Sequence, residues 1–142
     1  MSDIIQKEIA KYLTRTPKSY QKQKEAEKVL PGGSSRGTAY FDPYPHFIDS
    51  GHDHYIVDVD GNEYLDFMIN ATSLILGHAN SDVTDVIKDQ AEKGVAFSGP
   101  TDSQIRLAKI LTDRIPSVDT IRFTNSGTEG TLMAIRAARE FT

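Results

Sequence analysis

Residues 123–130 read Phe-Thr-Asn-Ser-Gly-Thr-Glu-Gly, set between an apolar, β-branched run (Val118 to Phe123) and a helical pattern (Thr131 to Phe141). A strand that turns sharply into a helix leaves the first backbone N–H groups of that helix without intrahelical partners. With the positive end of the helix dipole, those donors make a ready anion site. Ser126 and Gly127 are small enough to let a phosphate approach the backbone, and the hydroxyls of Ser126 and Thr128 can add hydrogen bonds. The chemistry expected here is a grip on the phosphate of a cofactor. The same residues can also simply cap a helix, with Ser or Thr at the cap and Glu129 in the first turn. The octapeptide alone leaves both readings open. It lacks the Gly-Lys-Ser/Thr of a nucleotide P-loop and the three-glycine spacing of a dinucleotide fingerprint.

A second candidate is Arg36, which follows the loop Pro31-Gly32-Gly33-Ser34-Ser35. A guanidinium in such a loop can hold a carboxylate by two parallel hydrogen bonds, or it can be an ordinary surface residue. His78, after the apolar segment Leu74-Ile75-Leu76-Gly77, is either catalytic or a structural histidine at a helix approach. Asp49, Asp58, Asp60 and Asp66 fit no calcium-loop spacing and read as solvated or turn-forming.

These residues need elements to position them. Ile5, Ile9, Tyr12 and Leu13 share one face of a short helix, and Thr16-Pro17 starts a second, with Thr16 as its cap. The second carries Lys18, Lys22, Lys24 and Lys28, a solvated face or an arm for a partner subunit. Phe47–Asp49, Tyr55–Val59 and Tyr64–Phe67 read as strands of an antiparallel meander, with Asp60-Gly61-Asn62 as the turn between the last two. Asn80 caps a helix whose buried stripe is Val83, Val86, Ile87 and Ala91, closed by Lys93-Gly94. Thr101 and Gln104 form a capping box for the next, with Leu107, Leu111 and Ile115 facing a core and Pro116 ending it. Val118 to Phe123 is a strand, and the last helix is apolar on two faces (Met133, Ala137, Phe141 and Leu132, Ile135, Ala138), so it expects cover on both sides.

At 142 residues, 38% hydrophobic and 25% charged, the chain is the size of one globular domain. A formal charge of −4 argues against a general nucleic-acid binder. With no cysteine there is neither a disulfide framework nor a zinc–thiolate site, and no metal site is expected. No signal pattern opens the chain and no apolar run reaches membrane-spanning length, so a cytoplasmic protein with no membrane contact is the expectation.

Four blocks then line up in order: Pro31-Gly32-Gly33 with Arg36; Asp58-Val59-Asp60-Gly61-Asn62-Glu63-Tyr64-Leu65-Asp66; Leu76-Gly77-His78; and Arg122-Phe123-Thr124-Asn125-Ser126-Gly127-Thr128-Glu129. Together they resemble the N-terminal part of the class III aminotransferases that depend on pyridoxal 5′-phosphate. The branch they resemble most contains glutamate-1-semialdehyde 2,1-aminomutase and the β-amino-acid aminotransferases. The resemblance runs from about Tyr20 to Thr142.

It implies an α/β fold, the N-terminal part of a fold-type-I transferase. Helices and a small antiparallel meander (residues 1–70) would lead into the first strand and helix of a large, mostly parallel, pyridoxal-phosphate-binding domain (residues 71–142, incomplete). It further implies a homodimer, cofactor phosphate at Ser126, Gly127 and Thr128, and the carboxylate of an amino-acid-like substrate at Arg36. In the class the cofactor is attached to a lysine far beyond residue 142. The nine lysines here (Lys7, Lys11, Lys18, Lys22, Lys24, Lys28, Lys88, Lys93, Lys109) all fall on polar positions of helical patterns. No catalytic residue is therefore assigned in this chain, which reads as half a site from a longer protein, inactive alone. An isolated chain is expected to associate through Leu132, Ile135 and Phe141. The rival expectations are a non-catalytic chain that only pairs with a full-length subunit, and an unrelated phosphate-binding domain such as a sugar-phosphate binder.

Overall fold

The computed structural model describes residues 3–142. The chain divides into two compact units, Met1–Lys93 and Gly94–Thr142.

The first unit opens with helices α1 (Asp3–Arg15) and α2 (Pro17–Ala26). Single 3₁₀ turns follow at Pro31–Gly33 and Gly37–Ala39. Strands β1 (Ile48–His52), β2 (Tyr55–Asp58) and β3 (Glu63–Leu65) then form an antiparallel sheet in the order β1-β2-β3. The meander expected from the sequence is present, with shifted bounds: β1 runs on to His52, and β3 stops before Asp66. The register slips between Ile48 and Ser50, which makes Asp49 the extra residue of a bulge and accounts for its exposure. Helix α3 (Ser81–Lys93) closes the unit, its first turn capped by Asn80, whose Oδ1 accepts from Val83 N at 3.3 Å.

The centre of this unit is polar. Tyr44, 3% exposed, is the only buried hydrophobic side chain among the described residues, and Thr16, Ser19, Gln23 and Asp58 are buried around it. Such a centre is stable only if each polar group finds a partner. Thr16 Oγ1 donates to Tyr12 O (2.7 Å) and lies 3.1 Å from Tyr44 Oη, which donates to the Thr16 carbonyl at 3.2 Å. Tyr12 Oη donates to Tyr44 O at 2.8 Å, and burial pushes its pKa up to about 12. Thr16 thus spends its hydroxyl on Tyr12 and does not cap α2, as the sequence suggested. Asp60 caps it instead: its carboxylate accepts from Lys18 N (2.7 Å), Ser19 N (2.9 Å) and Ser19 Oγ (2.8 Å).

Asp58 is likewise more than a turn former. It is buried and accepts four hydrogen bonds, from Asp60 N (3.0 Å), Asn62 N (2.8 Å), Asn62 Nδ2 (2.9 Å) and Tyr64 Oη (2.8 Å). Burial alone would raise its pKa; these donors outweigh burial and hold it below the usual carboxylate value.

The second unit holds α4 (Asp102–Arg114), α5 (Gly127–Phe141) and the connection between them. The sequence placed a strand at Val118 to Phe123. Those residues pair with no strand here, because a strand exists only when a neighbour accepts and donates its ladder bonds. The capping box of α4 is also not formed: Thr101 makes no side-chain bond to the helix, and Gln104 N donates to the Thr101 carbonyl at 3.2 Å. Leu107 and Ile115 are exposed rather than buried, as are Val83, Val86 and Ile87 of α3 in the first unit. Leu132, Ile135 and Phe141 of α5 are exposed as expected. Among the described residues no helix is long and apolar enough to cross a membrane.

Candidate functional site

The turn before α5 is laid out by its own side chains. Ser126 is the N-cap, in extended conformation, and its Oγ accepts from Glu129 N at 3.2 Å. Glu129 reaches back so that Oε2 accepts from Asn125 N at 2.8 Å. Thr124 Oγ1 donates to Ser126 O at 3.1 Å. This is a reciprocal cap of the Ser-x-x-Glu kind, shifted by one residue on the return bond. The third amide of the helix and the amide of Asn125 are thus occupied by protein groups. The amides of Gly127 and Thr128 have no hydrogen-bond partner among the described residues.

What remains can still take an anion. Two adjacent N–H groups stand at the positive end of a 15-residue helix. The Ser126 hydroxyl accepts from Glu129 N and keeps its own proton for donation. The Thr128 hydroxyl makes no bond, and the space where a Cβ of Gly127 would stand is open. These four donors, with room for oxygens close to the backbone, fit a phosphate ester.

Arg36 lies in the first unit, exposed, at the start of the turn Gly37–Ala39. Its amide donates to Ser34 Oγ (3.0 Å), and Ser34 Oγ donates to Arg36 O (3.1 Å), which fixes the backbone. Its guanidinium makes one bond, Nη1 to Asn70 Oδ1 at a long 3.4 Å. The Nε–Nη2 edge is left for a planar, two-oxygen acceptor.

His78 takes the structural alternative. Its Nε2 lies 2.7 Å from Asp66 Oδ2, while its backbone exchanges bonds with Asp53 (N to O at 2.6 Å, O from N at 2.9 Å). The ring packs on Gly51, where a Cβ would come within 2.7 Å of Cγ. Asp66 Oδ1 also accepts from Met68 N (2.9 Å) and Ile69 N (3.0 Å), and the bond to His78 holds the carboxyl below its ordinary value. Ile69, Asn70, Ala71 and Thr72 beyond it have φ of 38°, 50°, 55° and 68°, a left-handed turn that only Asn among these types adopts at small cost. Nothing in the composition of Ile69–Thr72 announces this turn, because a run of four left-handed residues has no composition signature.

The larger cavity of the first unit, about 880 Å³, is walled by Tyr12, Phe41, Pro43 and Tyr64 and contains neither Arg36 nor Asn70. Its surface is mostly apolar although Lys7, Lys11 and Arg15 also line it, and the chemistry argued above lies elsewhere. All nine lysines are exposed and sit on helices or, for Lys28, just beyond α2.

Comparison with known proteins supplies the context. Residues 38–142 match the family model described as aminotransferase class-III. Glutamate-1-semialdehyde 2,1-aminomutase 1 of Listeria welshimeri is 47% identical over 128 residues, covering 88% of this chain and 30% of the relative. The Bacillus subtilis protein of the same description is 42% identical over 132 residues, 88% of this chain and 31% of the relative. Among solved structures, an omega-transaminase from Sphaerobacter thermophilus superposes with a TM-score of 0.82 at 49% identity, over 85% of this chain and 28% of that one. A β-phenylalanine aminotransferase from Variovorax paradoxus does so with a TM-score of 0.88 at 31% identity, over 93% and 31%. The chain spans about 30% of the length of these relatives. Matched by the family model over residues 38–142 and superposing on solved members at these scores, the chain belongs to the class III aminotransferase family, as an N-terminal portion of the fold-type-I architecture.

Proposed function

We propose that this chain is the phosphate-anchoring and carboxylate-anchoring portion of a pyridoxal-phosphate-dependent enzyme that moves an amino group, a transaminase or a glutamate-1-semialdehyde-type 2,1-aminomutase. The observation that carries the reading is the pair of unpartnered amides, Gly127 and Thr128, behind the Ser126 cap. The relatives' descriptions as aminomutases and transaminases, and a neighbour described as a transaminase with PLP bound, support it.

On this reading Ser126, Gly127 and Thr128 hold the ester phosphate, and Arg36 holds the carboxylate of an amino-acid-like substrate. When bound, the cofactor supplies an electron sink that spares the reacting carbon its full negative charge. This chain's residues position: each anchor holds one reactant in place, which lowers the entropic part of the barrier. All nine lysines stand exposed on helices or just beyond one, and on this reading the attachment lysine lies outside these residues and the chain alone is inactive. Residues 71–142 are then the start of the large cofactor domain, and residues 1–70 an arm and meander. The family's pairing in dimers and a cytoplasmic setting complete the proposal; the exposed apolar row of α5 supports association.

The test is phosphorus NMR of pyridoxal 5′-phosphate with the chain, against a displacement series of pyridoxal, glucose 6-phosphate and inorganic phosphate. The expected result is a shifted ester resonance, restored to its free position by Thr128→Val with Ser126→Ala, and poor competition by pyridoxal. The Ser126–Glu129 bonds favour one rival, that the turn is a helix cap and nothing else. An unshifted resonance establishes that rival, and equal displacement by the sugar phosphate establishes a generic phosphate binder.

A further inference from the structure

Arg36 would grip a carboxylate well only if it is held still and left fully charged. Its one side-chain partner does both. Asn70 Oδ1 accepts from Nη1, and Asn70 cannot present its amide the other way round, because Nδ2 donates to Ser73 Oγ at 3.0 Å. Ser73 Oγ in turn donates to the Asn70 carbonyl at 2.8 Å, so that hydroxyl is oriented too. The backbone that carries Asn70 is left-handed, and the Asp66 carboxylate stands at its entrance on the amides of Met68 and Ile69. A neutral amide oxygen restrains the guanidinium without cancelling its charge; a carboxylate at the same place would do the first and undo the second.

We infer that Asn70, oriented by Ser73, is the positioning residue for Arg36, one that steadies the guanidinium while leaving its charge and its Nε–Nη2 edge for the substrate carboxylate. This rests on the reading of Arg36 given under Proposed function. Two substitutions separate the side chain from the backbone, since Gly and Asp both tolerate a left-handed φ. Asn70→Gly keeps the turn and removes the amide. Asn70→Asp keeps shape and acceptor and adds a charge.

The experiment follows the Arg36 side-chain Nε–H resonance, assigned by its loss in Arg36→Gln, while the chain is titrated with 3-aminobutanoate and with its carboxylate-free counterpart 2-aminobutane. In the parent only the acid should shift the signal. Asn70→Asp should sharpen the resonance as the guanidinium becomes more ordered, yet weaken the acid by about tenfold or more, the scale of a charged hydrogen bond. Asn70→Gly should broaden the resonance and weaken the acid by about threefold, and Ser73→Ala should act in the same direction by about threefold. A structural role alone would not drive order and affinity in opposite directions. If Asn70→Asp and Ser73→Ala both leave the acid's affinity within twofold of the parent while Arg36→Gln abolishes it, the inference is wrong and the reading of Arg36 stands. If the parent does not bind the acid, or Arg36→Gln binds it equally well, the reading of Arg36 falls and takes the inference with it. Should Asn70→Asp lose its circular dichroism signature, Ser73→Ala, which leaves residue 70 unchanged, decides.

Discussion

Asp58, in the first unit, is buried with four donors around its two oxygens; Glu129, in the second, stands exposed with one. The contrast extends to their surroundings. The first unit encloses Thr16, Ser19, Gln23, Tyr44 and Asp58, all bonded within the same unit, although Gln23 bonds through Nε2 only and its buried Oε1 has no partner among the described residues. The second has no buried residue among those described, and α4 and α5 carry Leu107, Leu132 and Ile135 in solvent. Local order in the first unit comes from polar groups that satisfy one another over short distances. Local order in the second comes from helix propensity and one cap, which makes a site whose remaining donors are still available for a ligand.

The contrast can be broken most severely at Asp58. Removing its carboxylate leaves four donors without an acceptor, and Asp58→Ala should cost about 3 kcal/mol. All six tyrosines lie in the first unit, so their fluorescence in a urea titration reports that unit alone. A loss of under about 1 kcal/mol would mean the polar centre is not what holds it. Next comes Gly77→Ala. Gly77 has φ of 79°, and a Cβ would run into the Asp53 carbonyl, which accepts from His78 N. A cost of about 2 kcal/mol is expected, read as a lowered urea midpoint.

Acid sharpens the same comparison. The folded pKa values of Asp58 and Asp66 are both lowered, so their contribution is complete above the unfolded carboxylate value near 4. It is lost as pH falls through the lower folded values, and the tyrosine signal should show this in a titration from pH 6 downward. Asp58→Asn should flatten that acid limb. In the second unit, Ser126→Ala removes one cap bond and should cost α5 about 1 kcal/mol, seen as faster hydrogen exchange at the amides of Glu129 and Gly130. The smallest effect is reserved for Lys24→Gln. Its pairing with Glu27 at 2.9 Å is fully in solvent, and the urea midpoint should not move measurably.

Much of this organisation was legible in the residues. Asn80 before an acidic first turn, Pro17 at a helix start and Asp60-Gly61-Asn62 between two alternating runs each named an element that the structure contains. Ser126 and Glu129 named the last helix and its cap. What sequence could not show were partners far away in the chain. Thr16 reads as a cap because Ser and Thr caps are local, whereas the group on the first amides of α2 is Asp60, 41 or 42 residues on. Val118 to Phe123 has strand composition but no strand to pair with among residues 3–142. Asn70 and Ser73 escaped for the opposite reason: their bonds are local, but in a backbone conformation that composition does not predict.

The Asp60 carboxylate on α2 has a consequence for how the chain becomes ordered. A ribosome delivers Pro17–Ala26 well before it delivers residue 60, so for that interval the helix has an open mouth and only propensity to sustain it. Its final shape waits on a hairpin synthesised later, and a peptide ending at Tyr44 should show markedly less helix than the same residues do in the finished protein.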